Sequence, residues 1–117
     1  MKSAAMKPMA EPVVLKFTDK SIQAIQAGNK TATIRKGART FPNKVARAIG
    51  ATGNVVMLDI VSATPKKMSE LTAADAMANG SASLDALKTE LAADYKNIAG
   101  SDVVTVITFK LSNADGM

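Results

Sequence analysis

The spacing of apolar and polar positions changes period several times along the chain. Val13 to Phe17 is a short apolar run interrupted only by Lys16, and predicts a strand. Ile22 and Ile25 lie three apart and give a short helix one apolar face. Asp19 is placed to cap that helix and Gly28 to stop it. So short a helix persists only if it docks on a sheet. Lys30 to Arg35 predicts a second strand, rich in β-branched Thr and Ile. Strand alternation puts Thr31, Thr33 and Arg35 on one face, and Ala32 and Ile34 on the other. The polar face suits the wall of a cleft or the solvent side of an edge strand.

Lys36 to Gly53 is the least regular stretch. Asn43 there predicts the cap of a short helical turn through Val45, Ala46 and Ile49, ended by Gly50. Val55 to Ala63 is a long apolar strand expected at the centre of the sheet, with Asp59 its one charge and Pro65 ending it. Leu71 to Met77 predicts a helical turn capped by Ser69 or Thr72, and Asn79-Gly80 a turn. Ser83 reads as the cap of a helix whose stripe is Leu84, Leu87 and Leu91, running towards Tyr95. Asp85 sits in its first turn, where the helix dipole favours an acid. Val103 to Leu111 predicts a last strand, with Val104, Val106 and Thr108 on one face and Val103, Thr105, Ile107 and Phe109 on the other. Few strands, long connections and no regular βαβ alternation predict a small α+β barrel rather than a doubly wound sheet.

The length, 117 residues, is that of one domain. Residues 1–12 are expected to be a flexible tail, 13–111 the domain and 112–117 a second tail. Phe17, Phe41, Phe109 and Tyr95 are the only aromatics, so the core is built from aliphatic residues. The chain has no Cys and no His. That excludes a Ser-His-Asp triad, a Cys nucleophile, a His/Cys zinc site and any disulfide. No apolar run approaches the ~20 residues of a membrane helix, and the first residues lack the apolar stretch of a secretory signal. A cytoplasmic protein with no membrane partner is expected. Charge is lopsided: residues 1–50 hold ten Lys and Arg against Glu11 and Asp19. The first half therefore suits an anionic partner, or a solvated basic surface.

The octapeptide Gly28-Asn29-Lys30-Thr31-Ala32-Thr33-Ile34-Arg35 resembles the Gly-x-Lys-Thr-x-Thr-x-Arg signature of the ASCH domain family. Around it, in the family's order, stand the central strand, Met68-Ser69-Glu70-Leu71-Thr72, Leu84-Asp85-Ala86-Leu87-Lys88, Asp94-Tyr95 and Ile107-Thr108-Phe109-Lys110. The resemblance spans roughly residues 13–111. It implies a small PUA-like β-barrel with flanking helices, and RNA or a nucleoside or nucleotide as the partner in a basic cleft. It implies Thr31, Arg35, Lys36, Asn79 and Tyr95 as ligand contacts, with no cofactor and no metal. A family member that deacetylates N(4)-acetylcytidine implies a second function, an amidohydrolase working through Lys30 and Thr33. The carboxylate that such a site uses has no counterpart here. Asn79 is the nearest match, while Asp75 and Glu70 are displaced. An RNA-cleaving member using Lys30, Thr33 and Tyr95 is a third reading.

A lysine serves as nucleophile or base only if its pKa falls well below the ordinary ~10.4, through burial or nearby cations such as Arg35 and Lys36. On a regular strand Lys30 and Thr33 face opposite ways. Both meet one ligand only if Lys30 lies in the turn before the strand, or if the strand bulges. The plain alternatives are Lys30 as a solvent or phosphate contact and Arg35 as an ion-pair partner of Asp59. Thr31 and Thr33 would then be strand formers, and Tyr95 an edge-of-core residue.

Overall fold

The computed structural model describes residues 13–41 and 44–112. The expected tails fall almost wholly outside them, as does Asn43. The elements are β1 (Val13–Lys16), α1 (Asp19–Ala27), β2 (Ala32–Lys36), β3 (Val45–Ile49), β4 (Val55–Lys67), a 3₁₀ turn at Met68–Glu70, α2 (Ala73–Asn79), α3 (Leu84–Asp94) and β5 (Val103–Leu111). The strands form one mixed sheet in the order β1-β3-β4-β5-β2, so β4 is central. The β1–β3 pair is parallel and the rest are antiparallel. The sheet is curled into a half-barrel, consistent with the small α+β class. Among the described residues no helix is long and apolar enough to cross a membrane.

Both faces of the sheet are covered, which is why β5 is apolar on both sides. Its Ile107 and Phe109 join Leu15, Ile22, Ile25, Ala48 and Leu58 under α1. Its Val104 and Val106 join Ile34, Met68, Leu71, Leu87 and Leu91 under α2 and α3. Thr105, fully buried, survives there because its hydroxyl donates to Gly37 O at 2.6 Å and accepts from Arg39 N at 3.0 Å. The register of β4 on β5 shifts between Ile60 and Ser62, so Val61 is a bulge residue, exposed, where the strand bends.

The structure corrects several sequence expectations. Val45 to Ile49 is a strand, not a helical turn. Its Ala46 and Ala48 are buried and alternate with half-buried Val45, Arg47 and Ile49. The small side chains let β3 lie under the core between β1 and β4. Pro65 does not end β4, which runs on to Lys67. β3 pairs with β4 only as far as Asp59, so Pro65 faces an open edge where no N–H is needed, while its other side pairs with Thr105. The cap of α1 is Thr18, whose hydroxyl accepts from Ser21 N, and Asp19 is the first helical residue. The Asp19 carboxylate instead accepts from Thr52 N and Oγ1. A Cβ on Gly50 would come within 2.6 Å of that carboxylate, so a larger residue there would push the Asp19 side chain off its contact with Thr52. The caps at Thr72 and Ser83, and the left-handed Gly28 after α1, stand as expected.

Candidate functional site

The two edge strands of the curled sheet, β1 and β2, are not hydrogen-bonded to each other. A side chain spans the seam: the Arg35 guanidinium on β2 donates to Lys16 O at the end of β1, at 2.8 Å. A cleft of about 760 Å³ opens along this seam between α1 and α3. Lys30, Thr33, Arg35, Asn79 and Tyr95, all singled out from the sequence, line it together. Thr31 and Lys36 lie outside it, both exposed. Thr31 borders a separate, smaller hollow with Phe109 and Lys110. Asp75 is turned away into an ion pair with Lys66 at 2.9 Å, and Glu70 folds back to accept from Lys67 N.

The facing problem of Lys30 and Thr33 is solved by the turn. Gly28 takes φ +83° and closes α1, and Lys30 N still bonds to Ala24 O, so Lys30 precedes β2 rather than belonging to it. Its side chain is 7 % exposed. The amine donates twice to Asn79, to the backbone O at 2.7 Å and to Oδ1 at 2.8 Å. Asn79 ends α2, and Gly80 after it takes φ +86° and packs on the Lys30 stem. The Thr33 hydroxyl accepts from Arg35 Nε at 3.2 Å, which leaves its own O–H to give.

The floor under both cations is Phe17. Its ring centroid lies 4.8 Å from the Arg35 guanidinium carbon and 5.8 Å from the Lys30 amine. Burial, then the neighbouring Arg35 charge, pushes the Lys30 pKa down to about 8, with Glu90 pulling the other way. Burial also pulls Arg35 below its ordinary value, partly offset by Tyr95. It stays a cation, as guanidinium does. Among the described residues Arg35 forms no ion pair, and its expected partner Asp59 sits on β4 opposite Val45 and Lys110.

The residues that sequence reasoning missed are Phe17, Ser81 and Glu90. Asn79 Nδ2 donates to Ser81 Oγ at 3.0 Å, and Ser81 Oγ donates to Glu90 Oε1 at 2.7 Å. Glu90 lines the cleft from α3. The available signal was its place beside the Leu87–Leu91 stripe, which turns it towards whatever α3 covers. Among the described residues no group of acids has the arrangement of a metal site.

No family model matches the chain, and no curated protein matches it in sequence. Solved structures do. A protein from Enterococcus faecalis V583, described under the family label DUF984, superposes with a TM-score of 0.69 at 17% identity, over 92% of this chain and 84% of its own. An ASCH domain from Lactobacillus crispatus JV V101 superposes with a TM-score of 0.66 at 12% identity, over 85% of this chain and 79% of its own. The fold is thus ASCH-like.

Proposed function

We propose that the seam cleft binds a nucleoside or nucleotide, free or as part of RNA. The observation that carries this reading is the pairing of Lys30 and Arg35 over the single Phe17 ring, with neither cation in an ion pair among the described residues. A buried and a half-buried cation side by side, with no ion pair among the described residues, call for an electron-rich or anionic ligand. The volume lies within the ~300–1,000 Å³ of small-molecule sites, so one nucleotide unit is the natural occupant. The half-buried Tyr95 ring gives the base an apolar wall, while Thr33 O–H and the cations face its polar edge or phosphate. The chain would act in the cytoplasm, where such ligands are found.

Titration of the protein with cytidine, cytidine monophosphate and a short RNA at two salt concentrations tests this reading. Binding that weakens with salt for the charged ligands, and falls on Lys30→Ala and Arg35→Ala, is expected. No binding of any of the three would overturn it.

A second reading, amide hydrolysis of an acylated cytidine, is favoured by one specific observation. The cleft holds a lysine with lowered pKa, a threonine hydroxyl and, from α3 rather than from position 79, a carboxylate. Release of cytidine from N(4)-acetylcytidine, lost on Lys30→Ala, is its signature.

A further inference from the structure

Lys30, Asn79, Ser81 and Glu90 form an unbroken chain of hydrogen bonds from the floor of the cleft to its rim. The chain has one consistent direction. A carboxylate only accepts, so the single Ser81 proton points to Glu90. The Ser81 oxygen is then left to accept, and it takes an N–H from the Asn79 amide. An amide whose nitrogen is held on that side turns its Oδ1 to the other side, towards Lys30.

We infer that Glu90 is a positioning residue for Lys30. Acting through the Ser81 hydroxyl and the Asn79 carboxamide, it fixes which face of that amide meets the amine. An ammonium has three N–H bonds, and Asn79 takes two of them through O and Oδ1. A ligand in the cleft therefore meets one remaining N–H, or the lone pair when the amine is neutral. That selects a ligand with a single acceptor at this point, such as a pyrimidine carbonyl or one phosphate oxygen. If Glu90 were lost, Ser81 could turn, the amide could flip, and its NH₂ would oppose the amine.

The other charged or titratable groups facing Lys30 across the cleft are Arg35 on β2, Lys16 at the end of β1, Lys20 on α1, and Asp94 and Tyr95 on and after α3. All are untouched by the changes below. This role deepens the proposed function, resting on it only for where the ligand sits, and it is tested without ligand, so a failure to bind is a separate result.

The test follows the Lys30 side-chain Cε and Nζ resonances by NMR from neutral to strongly alkaline pH. Ser81→Ala leaves Glu90 in place but cuts the chain. It should lower the Lys30 midpoint, reducing the ratio of protonated to neutral amine by about threefold or more at a given pH. Glu90→Ala, which removes the acceptor of the Ser81 proton, should do the same, and the double variant should go no further than the larger single shift, because both cut one chain. Ser81→Thr, which keeps a hydroxyl, should restore the native midpoint. Glu90→Ala at its exposed position should also move the Asn79 carboxamide resonances, although no hydrogen bond joins the two side chains directly, and this readout stands even if a change at buried Ser81 unfolds the chain. A native midpoint in Ser81→Ala, full additivity in the double variant, or unmoved Asn79 resonances would each overturn the relay and leave Glu90 acting only through space.

Discussion

Asn79 holds the Lys30 amine by two oxygens at once, its backbone O at 2.7 Å and its side-chain Oδ1 at 2.8 Å. The residue that ends α2 thus orients the one lysine buried before β2. Neither oxygen carries a full charge, so the amine is held without being strongly stabilised as a cation, and its pKa stays down at about 8. Asn79→Asp puts a carboxylate in the same contact. The expected outcome is a Lys30 midpoint raised above 8, read from the same side-chain resonances, because an opposite charge at hydrogen-bond distance favours the ammonium.

Burying Lys30 costs stability where it is charged. In the unfolded chain its pKa is 10.5, and in the fold about 8. Below pH 8 both states are protonated and the fold carries the full desolvation penalty. Between about 8 and 10.5 the unfolded chain binds more protons, so stability rises with pH and the penalty is relieved. Lys30→Met removes the charge. Relative to this variant the native protein should gain up to about 3 kcal/mol on going from pH 7 to above 10.5, as measured by urea unfolding at both ends. A difference independent of pH would show that Lys30 titrates normally.

Arg35 serves the seam and the cleft with different atoms. Nη2 reaches Lys16 O, Nε reaches Thr33 Oγ1, and the plane lies over Phe17. Lysine keeps the charge and loses the fork. Arg35→Lys is expected to weaken cytidine monophosphate binding about tenfold, roughly 1.4 kcal/mol, in titration calorimetry. Lys36→Ala, one residue on but outside the cleft, should leave binding unchanged.

Leu87 is fully buried on the inner stripe of α3, in the core behind the cleft. Leu87→Ala should destabilise the protein by ~2–5 kcal/mol in chemical unfolding, as truncation of a core leucine does. A cost below about 1 kcal/mol would mean that α3 packs loosely.

Asp75 ties α2 to the extended end of β4. Burial raises its pKa, but the hydrogen bond from Lys66 and those from Thr72 outweigh this and hold it below the ordinary carboxylate value. A lowered acid contributes stability above its unfolded pKa of 3.8 and loses it as pH falls through the lower folded value. Asp75→Asn removes the ion pair and should cost on the order of 1 kcal/mol at pH 7 but almost nothing in strong acid, as judged by thermal unfolding at the two pH values.

Elements whose signal is local were legible in the amino-acid order alone. The strand Val103–Leu111, the Ser83-capped helix with its leucine stripe and the glycine stop at Gly28 follow from period, caps and φ preference, which act within a turn or two. The octapeptide led to Lys30, Thr33 and Arg35 because a motif is a local string. The remaining features depended on neighbours distant in the chain. Ala46 and Ala48 read as helical in isolation and became strand because β1 and β4 flank them. Pro65 was tolerated because β3 had already ended. Phe17 and Glu90 entered the site because the sheet curls until its edges meet and α3 folds over the seam, which puts residues more than seventy positions apart into one cleft. Phe17 carries no mark of that in its own stretch of chain, and Glu90 only its place beside the Leu87–Leu91 stripe, since the curl arises from packing on both faces of the sheet and from the bulge at Val61.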